Sequence, residues 1–182
     1  KDDKGVTVAS VPEVVVHISP FKGLLGGSVL NAIAQIQVQS PTVYLTMDKQ
    51  DNWNVANLLK PTETTSTGFK AKVQVNNGYV LLTTPYGRWD GGLQGTVDAA
   101  GNPQYALDLA LSLGNEEVSV SGSINSKTEG ALTFKTESFA VDSFSALLTH
   151  FVPYAENVQG SVEKLKLLWS NNGQEVGLSG SG

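Results

Sequence analysis

The sequence predicts a mainly β protein built on one long, curved antiparallel sheet with two or three short helices. Apolar and polar residues alternate over most of the chain from residue 69 onward, which is typical of strands with one buried face. Asn-Gly pairs at 77–78 and 172–173 separate such alternating runs, the strongest short-range signal for a β-hairpin. Glycines recur on the apolar parity of several runs, where a sheet bends or bulges.

The two Asn-Gly pairs predict which side chains share a face, because a two-residue turn fixes the register of a hairpin. In the first hairpin the predicted pairs are Val75 with Val80 and Val73 with Leu82. In the second they are Trp169 with Val176 and Leu167 with Leu178. One face of the sheet is then apolar and the other mostly polar.

The elements before residue 69 are shorter. Val6 to Ile18 is rich in β-formers, and Phe21 to Ile33 is the first helical candidate because Ser28 can cap apolar residues at helical spacing. Strand signals resume at Ile36, bend at Ser40-Pro41 and continue to Met47. Asn54 can then cap a single helical turn. Residues 61–68, rich in Thr and Ser, predict a flexible polar loop.

The β pattern of the second half includes two long strands and one helix. Long strands are predicted for Gln104 to Gly114 and for Gln159 to Ser170. Between them, Phe144, Leu147, Leu148 and Phe151 recur at helical spacing after a possible cap at Asp142-Ser143. This amphipathic helix is positioned to close an end or a rim of the sheet.

The composition favours a single domain over residues 1–182 and excludes several classes of function. Twelve Lys and Arg against 17 Asp and Glu give a net charge of −5, which argues against a nucleic-acid partner. There is no cysteine, and no apolar run is long enough to span a bilayer. The chain starts without a leader, so we expect it to be part of a longer protein whose membrane anchor lies elsewhere.

No pattern indicates catalysis, a metal site or a cofactor, and we expect that the chain is not an enzyme. His17 and His150 lie in unrelated elements with no nucleophile motif near them. Asp48, Gln50 and Asn52 imitate the start of a calcium loop, but Trp53 stands where the loop requires glycine, so a plain turn is expected.

The apolar face is therefore the main functional signal. Two interpretations remain open: a β-sandwich whose two sheets seal each other's apolar faces, and an open sheet that offers its face to a ligand. On the second interpretation the candidate binding residues are the inward-facing side chains of the predicted strands. They are Val73, Val75, Val80, Leu82, Leu107, Leu109, Val120, Phe134, Leu167, Trp169 and Leu178.

The order of several segments resembles the AsmA-like superfamily, and TamB-type proteins in particular. The segments are 27–30, 40–45, 51–61, 69–82 and 93–98, with Trp89 after a short turn. The resemblance covers residues 11 to about 125. It implies a β-taco, in which a long sheet folds into an open U-shaped groove that is apolar inside and polar outside.

The resemblance also implies a function. Such proteins carry phospholipid across the periplasm from an inner-membrane anchor, and TamB is linked to assembly of outer-membrane proteins. The expected partners are phospholipid acyl chains, neighbouring segments of the same longer protein, and an outer-membrane barrel. The alternatives are a closed-core adhesion or scaffold module and a factor in outer-membrane protein assembly.

Overall fold

A computed structural model describes residues 7–19, 32–55, 71–99, 104–125, 129–151 and 159–181. These residues form strands and one helix, so the chain is mainly β as predicted. The strands are β1 (Ala9–Ser10), β2 (Glu13–Ile18), β3 (Ile33–Gln39), β4 (Thr42–Thr46), β5 (Lys72–Thr84), β6 (Gly87–Asp98), β7 (Gln104–Leu113), β8 (Glu116–Asn125), β9 (Gly130–Lys135), β10 (Ser138–Ala140), β11 (Ser161–Glu163), β12 (Lys166–Asn171) and β13 (Val176–Ser181). The helix α1 (Ser145–Phe151) follows a 3-10 turn at Val141–Phe144.

Two predicted elements lie outside the described residues. They are most of the Phe21 to Ile33 helix and the 61–68 loop. Ile33 itself begins strand β3. The turn predicted after Asn54 is described only as far as Val55. The helix predicted from Phe144 is confirmed, although Asp142 does not cap it: its carboxylate accepts a hydrogen bond from the backbone N–H of Gly160.

The described strands make one open sheet of eleven strands and a short sheet of two. The main path runs β1-β4-β5-β6-β7-β8-β9-β12-β13, with β2 and β3 joined to the first half of β5. The sheet was predicted to be antiparallel, and this is wrong for two pairs of strands, because β3 and β4 both pair parallel to β5 and the sheet is mixed. A long connection over residues 47–71 allows the chain to return to the same end of the sheet, as a parallel pair requires.

The interruptions of the strands all fall at one level, which we call the crease. The edge strand breaks at Val11-Pro12, opposite a break at Ser40-Pro41 in its neighbour. The latter lies beside Asn76-Asn77 of β5. On the far side of the sheet, β9 and β10 meet at residues 136–137, opposite the gap at 164–165 between β11 and β12. The two-stranded sheet is therefore the continuation of β9 and β12 beyond the crease.

Left-handed backbone conformations mark the crease. Ser40, Asn77 and Lys164 have φ values of 47°, 51° and 54°, which side chains other than glycine rarely adopt. Main-chain hydrogen bonds still cross it, from Ser40 N to Asn76 O at 2.8 Å and from Lys164 N to Glu137 O at 2.9 Å. The regular strand backbone is thus interrupted at the crease, while hydrogen bonds between neighbouring chain segments persist there.

The first predicted hairpin is not formed, because Asn77 and Gly78 lie within the single strand β5. Val75 pairs with Gly95 and Gly78 pairs with Leu93, so two residues of β5 oppose Gln94 alone. This is a β-bulge, and it inverts the alternation of β5. Asn77 has the left-handed conformation that a type I′ turn would require, but here it is a residue of the bulge.

The second predicted hairpin is formed, with a different register. Trp169 pairs with Leu178 and Leu167 with Gly180, so each partner is two residues further along than predicted. The loop holds residues 172–175, and Asn172 N donates to Glu175 O at 3.2 Å. A shift of two residues keeps every side chain on its predicted face. The predicted long strand over 159–170 is split by Lys164 into β11 and β12.

Candidate functional site

Two apolar rows cross the described sheet on one face, perpendicular to the strands. Each row takes one residue from each of nine successive strands and follows the residue pairs between neighbouring strands. Row 1 is Val14, Val38, Val75, Gly95, Leu109, Val120, Phe134, Leu167 and Gly180. Row 2 is Val16, Ile36, Val73, Val97, Leu107, Gly122, Leu132, Trp169 and Leu178. At ~4.8 Å between strands, each row is about 38 Å long.

The other face of the same strands is mainly polar. One typical row there is Gln37, Gln74, Thr96, Asp108, Ser121, Thr133, Leu168 and Ser179. Side-chain amides link neighbours on this face, since Gln35 Nε2 donates to Gln74 Oε1 at 2.8 Å and Gln74 Nε2 donates to Asn76 Oδ1 at 3.1 Å. The same row starts at Val15 on the edge strand β2, so the sheet is amphipathic from β3 to β13.

All eleven candidate residues lie on the apolar face. Five belong to row 1 and four to row 2, while Val80 and Leu82 lie on the same face beyond the crease. Val80 and Val120 are buried, whereas Leu178 on the outermost strand is 69% exposed. The other eight are half-buried. The structure thus brings these side chains together on one surface.

Several further residues of the apolar surface were not among the eleven candidates predicted from the sequence. They are Val14, Val16, Ile36, Val38, Val97 and Leu132 in the rows, and Val43, Leu45 and Trp89 beyond the crease. Their alternation with polar residues was visible in the sequence. What was not visible is the parallel pairing of β3 and β4 with β5, which places their apolar side chains on this face.

Glycines occupy selected positions of the rows. Gly95 of row 1 and Gly122 of row 2 have φ values of 140° and 143°. A Cβ atom at either position would lie 2.1 Å from a carbonyl oxygen of the next strand. These two glycines therefore permit a close approach of neighbouring strands that no other residue allows.

An aromatic cluster covers the apolar face beyond the crease. The Phe144 ring lies 5.0 Å from the rings of both Trp89 and Phe139, and Trp89 Nε1 donates to the carbonyl of Ser143 at 2.8 Å. Trp89 and Phe139 are thus within about 10 Å, although strands β6 and β9 are three spacings of ~4.8 Å apart. The Phe144 ring therefore bridges the side chains of Trp89 on β6 and Phe139 on β10.

Helix α1 continues across the same end of the sheet. The His150 ring stacks on Tyr86 at 4.2 Å, and its Nε2 lies 3.0 Å from both carboxylate oxygens of Asp51. Burial, and secondarily the charge of Asp51, raises the pKa of the Tyr86 hydroxyl. The helix thus connects the turn between β5 and β6 with the loop after β4.

A cavity of about 740 Å³ follows the crease on β5 to β10. Its lining includes Leu93, Leu111 and Val118 of the apolar face and also polar residues such as Gln94 and Lys135 of the other face. None of the eleven candidate residues lines it. The cavity is therefore distinct from rows 1 and 2.

The polar groups of the described residues indicate structural roles. Asp48 accepts hydrogen bonds from the backbone N–H groups of Gln50 and Asn52 at 2.8 and 3.0 Å, which stabilise a turn over residues 48–52. In the described part of the chain, no group of three or more His, Asp or Glu side chains is arranged to hold a metal ion. Tyr79 donates a hydrogen bond to Asp90 on the polar face, which raises the pKa of the Tyr79 hydroxyl.

Among the described residues, no helix has the length and apolarity needed to cross a bilayer. Comparison of the chain with known protein families, with curated proteins and with solved structures finds no match. A function for this chain must therefore be inferred from the amphipathic sheet itself.

Proposed function

We propose that this chain shields the acyl chains of phospholipids along rows 1 and 2, as one segment of a bridge-like lipid-transport protein that spans the periplasm. The observation that carries the proposal is the continuity of both rows across nine strands on a single face. An anchor in the inner membrane would lie outside this chain, and no chemical step is needed.

The partial exposure of the rows supports a ligand-facing surface more than a sealed core. A closed β-sandwich buries its large inward side chains against a second sheet. In the described part of the chain, no large side chain is less than 2% exposed, and the short second sheet continues β9 and β12 instead of opposing them. The proposal therefore takes the β-taco geometry, with the crease as the bend of the U.

The energetics favour such a surface. A diacyl phospholipid has about 30 methylenes, and at ~0.8 kcal/mol for each one its transfer through water would cost more than 20 kcal/mol. A surface that covers the tails removes most of this cost. Because neither row holds a charged side chain at any of its nine strands, a tail lying along the rows meets no charged barrier and is free to slide.

The test is photo-crosslinking of the full chain to vesicles of phosphatidylethanolamine with a photoactivatable acyl chain. Crosslinks are expected in peptides of β5, β7, β8 and β12, at residues of rows 1 and 2. Leu109→Lys is expected to reduce crosslinking at least about tenfold, since an ammonium then faces the tails. Ala106→Lys, on the polar face of the same strand, is the matched control and should crosslink like the parent chain.

Circular dichroism shows whether the Leu109→Lys chain is folded. If it is not, the milder variant Leu109→Ser takes its place in the same experiment. Crosslinks that map to the polar face, or crosslinking that is unchanged in a folded Leu109 variant, would overturn the proposal. Native mass spectrometry gives an independent readout, because a closed-core module would be recovered without lipid.

A further inference from the structure

The two outermost strands of the described sheet expose apolar side chains at the ends of the apolar rows. Among the described residues, β2 pairs with β3 alone and β13 with β12 alone. All six residues of β13 and five of six in β2 are exposed. Val14, Val16 and Ile18 are 52%, 45% and 62% exposed, and Val176 and Leu178 are each 69% exposed. Neither strand carries the lysine or proline by which edge strands avoid pairing.

We propose that β13 of one copy of this chain pairs antiparallel with β2 of a second copy, so that copies associate head to tail into a longer sheet. The directions of the strands permit this. β13 runs parallel to β5, and β2 runs antiparallel to it, as the alternation of the intervening strands requires. A second copy in the same orientation therefore offers β2 antiparallel to β13.

The two edges match in length and level. Rows 1 and 2 meet β2 at Val14 and Val16, and they meet β13 at Gly180 and Leu178. Continuing the rows sets Leu178 against the second copy's Val16, and Val176 against its Ile18. In this alignment all six residues of each strand overlap, so the main-chain hydrogen bonds of both edges are used. Rows 1 and 2 then continue onto β2 of the second copy at the same level.

Charge on the polar face supports the same alignment. Lys135 and Lys166 oppose each other directly on β9 and β12, an unfavourable pair of like charges. No carboxylate of the described residues lies within ion-pair distance of either lysine. The same level continues to Ser181 on β13, and the alignment places the second copy's Glu13 beside it. The carboxylate of the second copy's Glu13 thus lies at the same level as the two lysines of the first copy, Lys135 and Lys166.

The geometry also determines the form of the assembly. The contact uses different surfaces on the two copies, so each added copy leaves one β2 edge and one β13 edge free, and the assembly stays open. A contact of six residues on each side is small, so association is weak and depends on concentration. The expected species are a ladder of oligomers and not a single dimer.

The first test measures the size distribution of the lipid-free full chain by sedimentation velocity over a range of concentrations. The parent chain is expected to form dimers and larger species as its concentration rises. Leu178→Lys and Val16→Lys should each weaken association at least about tenfold, because each places an ammonium within an apolar row. Leu168→Lys, which alters an exposed leucine on the polar face of β12, should associate like the parent chain.

The second test uses disulfide formation, which is specific here because the chain contains no cysteine. A mixture of Val16→Cys and Leu178→Cys chains should form the mixed disulfide dimer on oxidation. A chain carrying both substitutions should form disulfide-linked ladders. A monomer at all concentrations, homodimers from Leu178→Cys alone in place of the mixed dimer, or an internal disulfide in the double variant would each overturn the proposal. None of these readouts involves lipid, so they stand apart from the test of lipid binding.

Discussion

Val75 and Val80 lie on the same face of strand β5, although an odd number of positions separates them. In a regular strand such residues face opposite sides. The bulge at Asn76-Asn77 inserts one extra residue and restores both valines to the apolar face. The predicted hairpin would have brought the two valines to one face as well, so the faces agree although the turn does not exist. The bulge is therefore a structural part of the apolar surface.

The bulge gives a first prediction at Asn77, whose φ of 51° disfavours β-branched residues. Asn77→Val should lower the free energy of unfolding by about 1–2 kcal/mol, whereas Asn77→Gly should leave it equal or higher. Urea denaturation provides the measurement. Thr83→Val, in the extended part of the same strand, is the control and should change stability by less than about 0.5 kcal/mol. Equal stability of the Asn77→Val and parent chains would contradict a left-handed residue at this position.

A second prediction concerns the glycines of the rows. Gly122→Ala adds a Cβ atom at a φ of 143° and 2.1 Å from the carbonyl oxygen of Ala131. The strand must move away, so stability should fall by at least about 2 kcal/mol. Gly177→Ala is the matched control, because its nearest neighbour is the rotatable Ser170 hydroxyl at 3.1 Å. Thermal unfolding of the two variants measures the difference, and similar midpoints would show that the close approach at Gly122 is not needed.

A third prediction concerns the aromatic cluster. Phe144 is 8% exposed and stacks on both Trp89 and Phe139. Phe144→Ala should cost about 3–5 kcal/mol and shift the fluorescence of Trp89 to longer wavelength, since the indole gains contact with water. Ser143→Ala serves as the control, because only the main-chain carbonyl of Ser143 is used. Unchanged fluorescence in Phe144→Ala would mean that the helix does not cover this end of the sheet.

A fourth prediction concerns the pH dependence of Tyr79. The hydrogen bond to Asp90 raises the pKa of the Tyr79 hydroxyl, while the charge of Arg88 lowers it. Because the folded-state pKa is raised, the stabilisation is present below pH ~10 and is lost as the pH rises through the pKa of the folded chain. Asp90→Asn should lower the pKa and Arg88→Gln should raise it further. Titration of ring-labelled tyrosine by NMR resolves the five tyrosines. Shifts of the same sign in both variants would contradict this pairing.

The alternation of apolar residues was sufficient to predict the faces of the sheet. Leu107, Leu109, Leu167 and Trp169 all lie where period-two reasoning placed them. The helix from Phe144 was predicted from the spacing of its apolar residues after a possible cap at Asp142-Ser143. These features depend on contacts between near neighbours in sequence, which a pattern records directly. The role of this surface in binding acyl chains stays a prediction.

The features that were missed depend on distant contacts. Asn77-Gly78 carries the same local signal as a hairpin turn, and only the pairing of Gly78 with Leu93 identifies it as part of a bulge. The parallel pairing of β3 and β4 with β5 joins strands that lie far apart in the sequence, and it has no local signature. The break at Lys164 was invisible because lysine does not favour a left-handed conformation. In each case tertiary structure overrides a local preference.

The crease has a consequence for how the chain finds its alignment during folding. Apolar residues alternate with glutamine where β3 and β5 pair, as Ile36 and Val38 in β3 and Val73 and Val75 in β5, so a slip by two residues would still match an apolar pair. Such a slip would carry Ser40-Pro41 away from Asn77, and Pro41, which has no N–H, would enter a regular ladder and leave a carbonyl unpaired. The irregular positions at the crease therefore select one register between β3 and β5, whose apolar pattern alone would allow several.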